Sequence, residues 1–229
     1  MWQQLAGTVK EVLFPEYCVG CRQEGSWWCE ACQAIASRTP VYACPTCGIR
    51  TDAGEPCSIQ CRNATALDWV VAFFDYATDP VVAELIKILK YNFAKDSLSV
   101  WPAIIAECKF TIPNSVVVVP VPLHARRERW RGFNQAELFA RMVAEQNNVP
   151  LSVRELVRTR FTHQQAKLSK QKRLENVVGA FEWRGEAAAP AHVVLVDDVY
   201  TTGSTLSECA RVLKQAGSRS VLGLAIARD

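Results

Sequence analysis

Eight cysteines between Cys18 and Cys61 arrive as four close pairs: CVGC (Cys18, Cys21), CEAC (Cys29, Cys32), CPTC (Cys44, Cys47) and CSIQC (Cys57, Cys61). Only Cys108 and Cys209 lie elsewhere. Two thiolates separated by two residues can grip one ion from a tight turn, and a second such pair completes a tetrahedral site. The N-terminal MWQQLAGTVKEVLFPEY has no basic segment ahead of an apolar block and does not read as a secretory signal. Close pairs in that setting indicate metal-ligating thiolates rather than a disulfide scaffold. All-cysteine sites leave no coordination position open for chemistry, so the expected role is structural: two Zn²⁺ ions whose binding supplies folding energy to a segment poor in aliphatic side chains. The sequence allows sequential pairing (first pair with second, third with fourth) or a cross-braced one. In CPTCG, Gly48 suits the positive φ often needed after the second ligand.

A second chemical signal is VVLVDDVYTTGST, Val193 to Thr205. It joins a continuous apolar run, two acids at its C-terminal end, a loop of small hydroxylated residues and the start of a helical pattern. Ligands of open α/β sheets sit at the carboxyl ends of strands. A small-residue loop at a helix N-terminus offers backbone N–H groups and a positive dipole end to a phosphate. Thr201, Thr202, Ser204 and Thr205 add hydroxyl donors, and Gly203 permits close backbone approach. Asp197 and Asp198 are poor phosphate ligands but good acceptors for a vicinal diol. Together these residues ask for a ribose 5-phosphate.

The elements that must carry these groups alternate between strand and helix patterns. Strands are expected at Leu67–Tyr76, Ser115–Val121, His192–Val196 and Ser220–Ala227. Helices are expected from Pro80, with Val82, Leu85, Ile86 and Leu89 on one face, from Lys95 to Cys108 with a break or start at Pro102, from Asn134 to Gln146, and from Ser204 to Gln215, stopped by Gly217. Runs such as SVVVVPV and HVVLV mark strands buried on both faces, which indicates an α/β fold with an open parallel sheet flanked by helices. The expected organisation is an N-terminal helix and Cys-rich module over residues 1–64, then an α/β domain over 65–229. No internal repeat is evident.

Composition narrows the class. The chain has 229 residues, 49% apolar and 21% charged, a net charge of +3 and a mean hydropathy of +0.01. Wholesale disorder is excluded. No run approaches the ~18 apolar residues of a membrane span, so a soluble, cytoplasmic protein without membrane insertion is expected. Charge is unevenly spread: His124 to Asn176 holds twelve Lys and Arg against five acids, leaving the remainder acidic. Trp130, Phe133 and Phe161 lie among these cations, the arrangement of stacking faces beside phosphate contacts in a single-strand binder.

The Val193–Thr205 segment resembles the phosphoribosyl pyrophosphate (PRPP) motif of type I phosphoribosyltransferases. LKYNF (Leu89–Phe93), VPVP (Val119–Pro122), RWRGFNQA (Arg129–Ala136) and the Arg158–Phe181 stretch, with its Arg160, Gln165, Leu168, Arg173 and Asn176, resemble the ComF/GntX family. Members commonly carry an N-terminal array of CxxC pairs. The resemblance implies a type I phosphoribosyltransferase fold behind a zinc module. It also implies PRPP or a related ribose 5-phosphate as ligand, with Mg²⁺ bridging pyrophosphate and ribose. By resemblance, Val121 and Pro122 belong to the loop facing the pyrophosphate. Arg131 is the candidate phosphate cation, in competition with Arg126, Arg127 and Arg129; Lys90 matches the family without an assigned role. The family is associated with DNA uptake in natural transformation, which implies single-stranded DNA and competence-system proteins as partners. Residues 159–176 are expected to form a hood over the site.

One departure matters. Purine-salvage phosphoribosyltransferases place a further aspartate three residues after the second acid; this chain has Thr201 there, so that loop offers no such general acid or base. Two functions follow: a PRPP- and DNA-binding protein of transformation, or an active phosphoribosyltransferase on an unidentified acceptor. Catalytic residues are not assigned.

Overall fold

Buried strands need both faces covered, and the chain meets that demand with a five-stranded sheet between helices. The computed structural model describes residues 15–37, 39–92, 95–108, 110–162 and 175–229. In chain order its elements are α1 (Glu30–Ala34), β1 (Val41–Tyr42), α2 (Ile59–Asn63), β2 (Trp69–Asp75) and α3 (Pro80–Lys87). After α3 come a π-helical turn (Ile88–Asn92), a 3₁₀ turn (Lys95–Val100), α4 (Trp101–Glu107), β3 (Val117–Pro120), α5 (Ala125–Arg131) and α6 (Gln135–Asn147). The chain closes with β4 (Leu156–Arg158), β5 (Phe181–Trp183), β6 (His192–Tyr200), α7 (Ser204–Gln215) and β7 (Ser220–Arg228). The sheet order is β1-β2-β7-β6-β3, with β1 antiparallel to β2 and the other pairings parallel. β4 and β5 form a separate antiparallel pair.

One apolar layer combines Phe73, Phe74, Leu85, Ile86, Trp101, Ile104 and Phe139 from β2, α3, α4 and α6. Trp101 meets Phe139 edge-on at 5.1 Å. On the other face, Leu195, Ala225, Leu206, Cys209 and Leu213 join β6 and β7 to α7 and the β4–β5 pair. Pro120 ends β3, an edge strand, where its missing N–H costs no ladder bond.

The four expected strands and the expected helices are present, with ends shifted by a few residues. The Lys95–Cys108 stretch divides where Pro102 suggests, into the 3₁₀ turn and α4. Two features escape the sequence: α3 widens into the π turn, and α5 forms from the arginine run itself. Residues 1–14, at the start of the expected N-terminal helix and Cys-rich module, and most of the expected hood (163–174) lie outside the described residues.

The Cys-rich segment packs onto this framework. β1 adds to the sheet edge, Cys18 and Trp28 are buried in the first layer, and Trp28 meets Phe74 edge-on at 6.3 Å.

The two cysteine turns are the same structure twice, a repeat invisible in their dissimilar sequences. In one, the Cys18 amide donates to Gln23 O at 2.8 Å and the Arg22 amide to Cys18 O at 2.8 Å; in the other, Cys44 donates to Ile49 O at 2.7 Å and Gly48 to Cys44 O at 2.9 Å. Bridges Tyr17–Glu24 and Ala43–Arg50 close both turns. The residue after the second cysteine has positive φ in each: Arg22 at 66° and Gly48 at 78°. In both units the second pair of cysteines lies at a short helix, Cys29 and Cys32 at α1, Cys57 and Cys61 at α2.

Candidate functional site

β3 ends at Pro120 opposite Val196 of parallel β6, which runs on to Tyr200, and the chain leaves both strands through loops at their carboxyl ends. A cleft of about 410 Å³ opens there. One end is the β6–α7 loop, where Thr201, Gly203, Ser204 and Thr205 face the cleft at the N-terminus of α7. Thr202 is the single residue of that expected group that does not line it; its hydroxyl lies 3.0 Å from Ser204 Oγ and orders the turn. Asp197 and Asp198 occupy the middle. Val121, Pro122 and Arg131 line the wall from β3 and α5, joined by Lys90, Arg127 and Arg158.

The motifs named in the sequence meet through a few polar contacts. Asn134 accepts the Ala136 amide at 3.1 Å, capping α6, and its Nδ2 donates to Val121 O at 3.0 Å, pinning the VPVP loop. Gln135, buried at the start of α6, donates to Leu89 O at 3.4 Å in the π turn and accepts from Arg131 Nη1 at 3.1 Å. π turns free a carbonyl from the regular ladder and concentrate at functional sites; here Gln135 engages the Leu89 carbonyl beside Lys90. Lys90 Nζ stands 2.9 Å from Asp198 Oδ1.

The two acids differ in environment. Burial, and then the Asp198 charge beside it, push the Asp197 carboxyl up to about 7, against the opposing pull of Lys90 and the Asp198 amide, which donates to Asp197 Oδ1 at 2.8 Å. A carboxyl held near neutrality can be ionised by a ligand that donates to it, as a ribose diol does.

Arg158 is a site residue the sequence reading missed. Its guanidinium lies 5.1 Å from the Phe181 ring centroid, Nη2 donates to Thr162 Oγ1, and Nε is buried without a hydrogen-bond partner. The available signal was the period of β4, which puts Arg158 on the same face as buried Leu156. Arg127 also faces the cleft and donates to Thr162 O at 2.6 Å. Arg126 and Arg127 both stack at 5.3 Å over Phe161, which meets His124 edge-on. His124 caps α5 by accepting the Arg126 amide at Nδ1, and burial followed by Arg158 and the α5 arginines keeps its pKa low.

The expected nucleic-acid ridge is sorted by burial. Trp130 is 61% exposed and Phe161 47%, whereas Phe133 is 8% exposed and belongs to the core. Arg160 donates to Asn176 O at 3.2 Å and Val178 O at 2.6 Å, so its guanidinium is engaged by backbone carbonyls. Lys167, Lys170, Lys172 and Arg173 lie outside the described residues.

The cysteines gather sequentially, Cys18, Cys21, Cys29 and Cys32 in one group and Cys44, Cys47, Cys57 and Cys61 in another, with the sulfurs of each within 4.8 Å of one another. The cross-braced pairing is ruled out. Sulfurs around a tetrahedral Zn²⁺ at ~2.3 Å stand roughly 3.8 Å apart; Cys21 and Cys29 are at 3.5 Å, Cys47 and Cys57 at 3.4 Å. The donor set fits zinc. Burial pushes the Cys18 and Cys44 thiols up, but backbone N–H groups, those of Cys29 and Cys47 foremost, outweigh it and bring both down to about 6. Cys32, chiefly by burial, and Cys57, chiefly by its cysteine neighbours, are pushed up to about 12. Each group thus favours one thiolate and holds others protonated, until a cation replaces the protons.

No family model matches the chain. It is 31% identical over 220 residues to DNA utilization protein YhgH of Escherichia coli K12, covering 90% of this chain and 94% of that one. The chain belongs to the ComF/GntX family. Competence protein ComFC of Bacillus subtilis is 33% identical over 137 residues (59% of this chain, 49% of that one), and competence protein F of Haemophilus influenzae 34% over 113 residues (48% and 49%). Among solved structures, adenine phosphoribosyltransferases of Leishmania donovani and Leishmania tarentolae align over 62% of the chain, 56% and 75% of theirs, at 18% and 12% identity with TM-scores of 0.34 and 0.36. Among the described residues no helix is long and apolar enough to cross a membrane.

Proposed function

We propose that the cleft binds PRPP or a related ribose 5-phosphate, and that the protein uses it while handling single-stranded DNA during uptake. The observation that carries this reading is the juxtaposition, in one cleft, of the Asp197–Asp198 pair and the hydroxyl-rich loop at the N-terminus of α7. The loop takes the 5-phosphate, the acids accept the ribose hydroxyls, and Lys90, Arg127, Arg131 and Arg158 face the anionic end. Asp197 and Asp198 are hard oxygen donors, suited to Mg²⁺ arriving with the pyrophosphate. Two structural Zn²⁺ ions complete the protein, one per cysteine cluster. DNA engagement is supported by the relatives named for competence and by Trp130, Phe161, Arg126 and Arg129 on the outer side of α5.

Calorimetry with PRPP and Mg²⁺ tests the cleft. Asp197→Ala or Asp198→Ala should weaken binding about 10- to 100-fold, the loss of a hydrogen bond to a charged acceptor. Equal affinity in the double variant overturns the site. A second reading, transfer of the phosphoribosyl group to an unidentified acceptor, is favoured by one observation: Asp197, held near neutrality, can exchange a proton in the cleft. Pyrophosphate release across a panel of bases distinguishes it from binding alone.

A further inference from the structure

The second cysteine cluster and the ribose-phosphate loop share a wall. Tyr200, buried at the end of β6, donates its hydroxyl to Cys44 O at 3.3 Å. A Cβ built on Gly203 would stand 2.9 Å from Pro45 O and 2.8 Å from the Tyr200 ring, so the loop backbone lies directly against the CPTC turn. Behind it Arg228 Nη2 donates to Gly48 O at 2.9 Å, and the Asp229 amide to Tyr200 O at 3.0 Å. Three carbonyls of the turn, those of Cys44, Pro45 and Gly48, thus lie against β6, its loop and the end of β7.

The direction of those carbonyls depends on the turn's shape. Its own backbone bonds and the Ala43–Arg50 bridge close the turn, while four converging sulfurs, the Cys57 amide donating to Cys44 Sγ at 3.4 Å and Thr46 Oγ1 donating to Cys61 O at 2.6 Å tie it to residues 57–61. The first cluster is placed differently. It rests on Trp28 against Phe74 of β2, and on Gly20 beside Val81 and the Ser37 amide donating to Asp79 at the N-terminal end of α3. Lys90 lies about 15 Å further along, at 1.5 Å per residue.

We propose that metal on Cys44, Cys47, Cys57 and Cys61 positions the ribose-phosphate loop, so that this ion and a ligand in the cleft stabilise each other, while the first cluster takes no part. The ligand arm rests on the reading of the cleft given above; the support of the loop does not. Coupling of this kind is reciprocal.

Hydrogen exchange of the zinc-loaded full chain during stepwise chelation tests the support without any ligand. Exchange in residues 201–205 should rise at least several-fold in step with loss of protection in 44–61, with no response to loss in 18–32. A loop that stays protected while 44–61 opens, or that follows 18–32, overturns the proposal. If chelation opens the central strand 221–227 as well, the zinc-loaded Tyr200→Phe variant decides. Removing its bond to the turn should quicken exchange in 201–205 two- to tenfold with 221–227 unchanged, and an unchanged loop overturns the proposal. In the ligand arm, Mg²⁺–PRPP should slow release of one zinc of two in the wild type, and less so in Tyr200→Phe. Binding by calorimetry without any slowing refutes the coupling; absence of binding refutes the reading of the cleft, with the exchange arm still decisive for the support.

Discussion

Asp197 and Asp198 stand side by side in a partly buried cleft, with Lys90 Nζ 2.9 Å from Asp198, and the protonation of Asp197 follows from that crowding. The folded-state pKa of Asp197 is raised to about 7 from an ordinary 3.8, by burial first and the Asp198 charge second. A raised carboxyl favours the fold fully below the ordinary value and loses that contribution as pH rises through the folded one. Asp197→Asn should therefore raise the Tm of the free protein at pH 8 and do so less at pH 5, in paired thermal melts. The ionised carboxylate is the better diol acceptor, so PRPP affinity should increase between pH 6 and 8 beyond any change from the ligand's own phosphates. Calorimetry on Asp197→Asn supplies that ligand baseline; equal pH profiles in the two proteins would refute the assignment. Gly203 belongs to the same scale. With φ at 71° and Pro45 O only 2.9 Å from where a Cβ would stand, Gly203→Val should fail by displacing the loop from the cysteine turn, and lose PRPP binding with the core intact.

At the scale of elements, each four-cysteine unit is a tight turn closed by its own backbone bonds and followed by a short helix, and its four sulfurs converge. Cys18→Ser and Cys44→Ser should each lower zinc content from two to about one per chain and cost several kcal/mol of stability in chemical denaturation, because structural zinc supplies roughly 10 kcal/mol or more to such units. Two zinc ions retained in either variant would contradict the sequential assignment. The strands and long helices were legible because doubly buried strands read as unbroken apolar runs and helices as a 3.6-residue period. β6, the acid pair and α7 therefore emerged from Val193 to Gln215 alone. What stayed hidden depends on partners distant in the chain. Nothing near Lys90 announces a π turn engaged by Gln135, nothing in CPTC says that its carbonyls support Tyr200, and Phe133 is inward while neighbouring Trp130 is outward. Arg160 looked like a phosphate contact and is committed to backbone carbonyls. The repeat of the two cysteine turns is carried by backbone geometry, with little beyond the cysteines in common.

At the scale of the whole molecule, Lys90, Arg127, Arg131 and Arg158 come from three separate segments to one cleft. α5 presents Arg127 and Arg131 to the cleft and Trp130 to solvent, so a strand tracking its outer face passes the mouth of the ribose-phosphate site. Binding to single-stranded oligonucleotides should weaken with salt at a log–log slope of about −0.7 per phosphate neutralised. Arg126→Ala with Arg129→Ala should flatten that slope by roughly 1.4, whereas Trp130→Ala should cost ~1–3 kcal/mol with the slope unchanged. A wild-type protein that fails to retard single-stranded DNA at low salt removes this arm and leaves the cleft standing. The central claim is that the acid pair reads a ribose diol beside a bound 5-phosphate. Calorimetry of ribose 5-phosphate against 2-deoxyribose 5-phosphate tests it most directly, since the two differ by one hydroxyl of the diol assigned to Asp197 and Asp198. The expected result is at least about tenfold tighter binding of the ribose form, narrowed to near equality in Asp197→Asn with Asp198→Asn; equal affinity for the two sugars in the wild type would contradict the account.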